Sequence, residues 1–135
     1  MKVFFDNCTS PVMARTLHGF ISGENNSAVH LRDLPLHHPK DVEWIKFLSE
    51  EGSEWIVVTG DDRIRRNKAE RTAFRQANLK GVVLSSAYEK SPMSRRCAAL
   101  ICQWPKLIDT MARFDPPILF EISINFSGRF KQLSL

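Results

Sequence analysis

The sequence predicts a doubly wound, mostly parallel α/β sheet, and three observations carry that prediction. Short apolar runs alternate with segments of helical spacing along the chain, in the order β-α-β-α-β-α-β-α-β. The run Trp55-Ile-Val-Val58 is apolar without alternation, as expected of a strand covered on both faces. The runs Val3–Phe5 and Trp55–Val58 both end in carboxylates, Asp6 and the pair Asp61-Asp62, where open α/β sheets place their ligands.

Val3-Phe4-Phe5 is the first strand. Ser10 is a favoured N-cap and Pro11 suits the first helical position, so a helix starts there. Val12, Met13, Thr16, Leu17 and Phe20 mark its spacing, with Gly19 and Gly23 as stop signals. Residues 22–27 read as a polar turn and Ala28–Leu31 as a second strand. After the loop His37-His38-Pro39-Lys40, Asp41 stands as an N-cap for a helix through Val42, Trp44, Ile45 and Leu48 that ends near Gly52. The third strand is 55–58. A helix from Asn67 to Asn78 follows, then a fourth strand, Lys80–Leu84, ending in Ser85-Ser86. From Ser91-Pro92 a long helix presents Cys97, Ile101, Trp104, Ile108 and Met111 as a core stripe. Pro105 predicts a kink or two consecutive helices, because it removes a backbone donor and clashes with the preceding turn. Ile118–Ile124 is a fifth strand. Residues 129–135 make an antiparallel sixth after the turn at 125–128.

A chain of 135 residues reads as one domain over 1–135 with room for a core. Its 43% apolar and 25% charged residues exclude wholesale disorder. A net charge of +4 and a pI near 9.2 suit a nucleic-acid partner, although the placement of charge matters more than its total. Three cysteines form no disulfide framework, and Cys97 and Cys102 lie too far apart for a CxxC pair, so a reducing cytoplasm is expected. No signal peptide and no run long enough to span a bilayer is seen, so no membrane is expected. No GxxxxGK[ST], GxGxxG or Cys/His zinc pattern occurs.

If consecutive strands are parallel, Asp6 and Asp61/Asp62 converge at one edge of the sheet. Asp41, at a helix start, joins them by a suitable loop path. Carboxylates gathered at one point repel and push one another towards protonation unless a cation relieves them. Mg²⁺ or Mn²⁺ is the cofactor this arrangement suits, activating water against a phosphodiester. Seven basic residues between 63 and 80, against the single acid Glu70, would face phosphates. The plainer readings are a turn acid or cap for Asp6, an N-cap for Asp41 and a solvated helix face for 63–80.

These residues together resemble a PIN-like domain of the VapC toxin type. The features that carry the resemblance are Val3-Phe-Phe-Asp6-Asn7, Asp41-Val-Glu-Trp44-Ile45, Trp55-Ile-Val-Val-Thr-Gly-Asp61, Arg63-Ile-Arg-Arg66 and Ala69-Glu70-Arg71, over about residues 1–90. The resemblance implies a three-layer α/β/α sandwich and a metal-dependent ribonuclease, commonly the toxin of a toxin–antitoxin pair. It implies Asp6, Asp41 and Asp61 as catalytic metal-binding acids, with Asp62 a fourth ligand or a bystander. Asn7 and Thr59 would stand beside the substrate, and Arg63, Arg65, Arg66 and Lys68 would position the RNA backbone. An antitoxin and a second copy of the chain are the protein partners it implies. Many PIN domains carry a further acid after the fourth strand, where this chain has Ser85-Ser86; that favours one ion over two. Two other readings stay open: an inert PIN-like module that binds RNA or protein, and a receiver-like phosphoacceptor. A receiver needs a lysine after the fifth strand, and Ile118–Ile124 supplies none.

Overall fold

The computed structural model describes residues 1–23, 25–126 and 128–135. Glu24, in the predicted turn at 22–27, and Ser127, in the turn at 125–128, lie outside the described residues. Six strands form one sheet: β1 (Lys2–Phe5), β2 (Ser27–His30), β3 (Trp55–Thr59), β4 (Lys80–Leu84), β5 (Ile118–Ile122) and β6 (Phe130–Leu133). Their spatial order is β2-β1-β3-β4-β5-β6; all neighbours are parallel except the β5–β6 pair. The helices are α1 (Pro11–Ile21), α2 (Asp41–Glu51), α3 (Arg63–Arg66), α4 (Lys68–Gln76) and α5 (Met93–Met111). No helix among the described residues is long and apolar enough to cross a membrane.

The side-chain alternation of a strand explains the three layers. Val3 and Phe5 point into one core with Met13, Ala14 and Leu17 of α1 and Leu100, Trp104 and Leu107 of α5. Phe4, between them, points into the other core with Trp44, Ile45 and Leu48 of α2, Ile64 of α3 and Phe74 of α4. The Phe4 and Trp44 rings lie 4.7 Å apart, tying β1 to α2. Both faces of the sheet are covered, which is why β1, β3 and β4 are apolar at nearly every position.

The structure departs from several expectations. The helix α1 begins as expected, with Ser10 Oγ accepting from the Val12 amide at 3.1 Å, but runs through Gly19 to Ile21. Asp41 is not an N-cap: Lys40 holds that place and Asp41 is already helical. The helix expected from Asn67 is α4, with the Asn67 side chain accepting from the Glu70 amide, but an unforeseen short helix, α3, precedes it and ends where Asn67 leaves the helical region. α5 continues through Pro105 as one helix. Pro105 is exposed, while Trp104 and Leu107 beside it are buried and hold the helix to the sheet. Its buried face is broader than the expected stripe, with Ala99, Leu100, Gln103 and Leu107 joining Trp104 and Met111 inside. Cys97, Ile101 and Ile108 are only partly buried, at its margin.

Candidate active site

The chain leaves β1 towards β2 on one side and later reaches β3 on the other, so β1 and β3 flank the point where the strand order reverses. Ligands of open α/β sheets bind outside the carboxyl ends of the strands at such a point. In parallel crossovers every strand ends, and every following helix begins, at the same edge. That places the end of β1 (Asp6), the start of α2 (Asp41) and the end of β3 (Asp61) together.

Asp6 is buried, with its amide donating to Val58 O of β3 at 3.2 Å. Its Oδ1 accepts from the Cys8 amide at 3.1 Å and its Oδ2 from the Thr59 hydroxyl at 2.5 Å. Burial raises its pKa to about 7; the Thr59 hydrogen bond opposes this, and the charges of Asp61 and Asp41 reinforce it. Those two aspartates therefore lie close enough to act on Asp6 electrostatically.

Asp61 is half-buried and lies in a cage of donors. Its Oδ1 accepts from the Arg63 amide at 2.9 Å; its Oδ2 accepts from Cys8 Sγ at 2.9 Å and Arg63 Nε at 3.1 Å. Burial alone would raise its pKa, but these donors outweigh burial and hold it below the usual carboxylate range. Asp6 and Asp61 thus differ in character, one biased towards the proton and the other towards the charge. Asp41 accepts from the buried Trp44 indole N–H at 2.9 Å, which fixes its carboxylate on the α2 surface.

Three residues that the sequence did not single out complete the site. Glu70, in the first turn of α4, faces Asp41 across the contact between α2 and α4. Burial raises its pKa, and the charge and hydrogen-bonding contact of Asp41 raise it further. Its Oε2 is buried and accepts from no N–H or O–H donor, leaving the facing Asp41 carboxylate as its polar neighbour. The available signal was its position as the one acid in the basic segment. Cys8 links the two strand ends, its amide on Asp6 and its thiol on Asp61; burial and these acids push that thiol up to about 12. Gly60 lets the loops meet, since a Cβ there would lie 2.7 Å from the Cys8 carbonyl oxygen.

The remaining expected residues are placed as follows. Asn7 is exposed in the turn after β1, and Thr59 is buried against Asp6. Asp62 is paired with Arg65 at 2.9 Å and Arg66 at 2.6 Å. Arg63 is committed to Asp61 and to Cys8 Sγ at 3.4 Å. Lys68 is exposed at the start of α4.

The donor chemistry fits a hard divalent cation: carboxylate oxygens, one buried and without an N–H or O–H donor, and one acid held towards protonation by burial and its neighbours. Among the described residues, no group of three or more His, Cys, Asp or Glu side chains is already drawn together tightly enough to hold a metal ion. A cavity of about 440 Å³, lined by Leu48, Trp55, Leu79 and Lys80 among others, lies at the opposite, N-terminal edge of the sheet, away from all these acids.

No curated protein and no solved structure matches the chain. The strand order alone would also suit a receiver-like fold, so topology does not separate the two. A family model described as a PIN like domain matches residues 1–86, the span from β1 through α2 and β3 to the Ser85-Ser86 turn, and the chain belongs to that family.

Proposed function

We propose that the protein is a metal-dependent ribonuclease, with Asp6, Asp41 and Asp61 as its acids and Glu70 beside them. PIN-like domains are generally nucleases, which supports the reading. The observation that carries it is the buried Asp6 carboxylate at the β1–β3 switch point, under the charges of two further acids. These residues would hold Mg²⁺ or Mn²⁺, which when bound supplies a water acidified for attack and a positive charge beside the phosphate. Thr59 and the Cys8 amide orient Asp6, and Trp44 orients Asp41. Arg63 holds Asp61 and would offer the rest of its guanidinium to a substrate phosphate.

The test is cleavage of single-stranded RNA with Mn²⁺ by wild type, Asp6→Asn and Asp61→Asn. Loss of cleavage in both variants, with folding intact, supports the assignment; unchanged cleavage by either ends it. The finer reading, a toxin restrained by an antitoxin, predicts that cells tolerate expression only together with an adjacent small reading frame. One observation favours a second reading, an inert RNA-binding module: Arg63 already neutralises Asp61. Calorimetric titration with Mn²⁺ separates the two, since an inert site takes up no ion.

A further inference from the structure

The cations that follow β3 stand in a field of acids. Around them stand Asp6, Asp41, Asp61, Asp62 and Glu70, and Arg63, Arg65 and Arg66 are all engaged in ion pairs with Asp61 or Asp62, while Lys68 and Arg71 flank Glu70. Guanidiniums already neutralised by neighbouring carboxylates are poor attractors for a polyanion.

A surplus of positive charge lies further along the same edge of the sheet. From the end of β4 through the first turn of α5 stand Lys90, Arg95 and Arg96 with the single acid Glu89. Lys90 and Arg95 are exposed; Arg96 braces the connection by donating to the carbonyls of Ser91 at 2.8 Å and Glu89 at 2.9 Å. A narrow crevice lined by Cys8, Gly60, Glu89 and Arg96 lies between this region and the loops that carry Asp6 and Asp61. Arg95 also reaches Asn125 Oδ1 at 3.4 Å, in the connection after β5. The next residue, Phe126, is 56% exposed, the most exposed of the large apolar side chains among the described residues. Exposed cations beside an exposed aromatic ring are the means by which proteins hold single strands, phosphates on the cations and a base on the ring.

We infer that the substrate strand runs from the acids over the Cys8–Gly60 crevice to a platform of Lys90, Arg95 and Phe126, and not along α3 and α4. This rests on the ribonuclease reading for its choice of RNA, and it makes the substrate single-stranded at the site, because a paired base cannot stack on Phe126.

The test is binding of a fluorescent single-stranded oligoribonucleotide of about a dozen nucleotides by fluorescence anisotropy, against salt, with the full chain in chelator so that nothing is cut. Phe126→Ala weakens single-strand binding about tenfold and leaves binding of the matching duplex unchanged. Lys90→Ala/Arg95→Ala lowers the slope of log affinity against log salt by about 1.4, two phosphate contacts at about 0.7 each. Arg66→Ala/Lys68→Ala changes neither. The inference is overturned if that last pair carries the losses, if Phe126→Ala affects single strand and duplex alike, or if wild type binds no RNA at low salt. Binding that maps to the platform in a protein that cuts nothing with Mn²⁺ supports the platform and ends the nuclease reading.

Discussion

Replacing Asp6 by Asn should stabilise the metal-free protein, and by an amount that depends on pH. The Asp6 carboxyl has an ordinary pKa of 3.8 and is raised to about 7 in the fold, chiefly by burial. Between those values the folded protein holds a proton that the unfolded chain has lost, so wild-type stability falls as pH rises through the window and levels off above it. Three units correspond to about 4 kcal/mol, which is the ceiling for the effect. Asn stays neutral throughout and can keep the local bonds. Its Oδ1 accepts from the Cys8 amide, and its amide group donates to Thr59 Oγ1, whose hydrogen turns to the Asp61 carbonyl 3.2 Å away. Urea denaturation in chelator, followed by tryptophan fluorescence, should find the two proteins nearly equal near pH 4. Asp6→Asn should be the more stable by about 2–4 kcal/mol near pH 8. Added Mn²⁺ near pH 8 should raise the wild-type midpoint and leave that of Asp6→Asn in place. A stability difference that is flat across the window, or an Asn variant less stable near pH 8, would refute the argument that burial and neighbouring acids act on Asp6.

Three further outcomes follow from the same geometry. Gly60→Ala sets a methyl group against the Cys8 carbonyl, a backbone atom that cannot swing aside, and should cost about 1–3 kcal/mol by denaturation while reducing RNA cleavage. Glu70→Gln removes a charge that burial and Asp41 oppose; the metal-free protein should gain stability above neutral pH, where Glu70 is ionised, and calorimetry should show weaker Mn²⁺ binding. Cys8, with its thiol pushed up to about 12 from 9.0, should react with iodoacetamide roughly fiftyfold more slowly than an ordinary thiol, the lost thiolate being offset in part by its higher nucleophilicity. Peptide mass spectrometry can read this directly, with the exposed Cys102 as the internal comparison; equal rates at the two cysteines would contradict the Asp61 contact.

The β/α alternation, the position of the six strands and the antiparallel direction of the last were legible in the residues, because each rests on a local signal: apolar period, Ser10-Pro11, Gly52. Asp6 and Asp61 were legible as site candidates for the same reason, since a strand end in a parallel sheet has one place to be. Asp41 was ambiguous, as an acid at a helix start serves equally as cap or ligand. In the fold Lys40 takes the N-cap position and the Trp44 indole donates to Asp41, so the cap reading falls. The breadth of the α5 face was misjudged because a single stripe shows which side is buried and not how far burial extends around the helix.

Only the tertiary structure decided who partners whom. Glu70 meets Asp41 because α4 packs on α2, and no spacing rule links positions on different helices. Cys8 reaches Asp61 because Gly60 lets two loops approach more closely than any side chain permits. Asp62 and Asp61 are adjacent and look equivalent in the sequence. Asp61 is held by Cys8, next to the buried acid of β1, whereas Asp62, at the start of α3, is taken up by Arg65 and Arg66 of that helix. Local patterns determined the elements and the sheet edge at which the acids collect; long-range packing, which sets distance and burial, decided which carboxylates become neighbours and how burial and hydrogen bonds bias each.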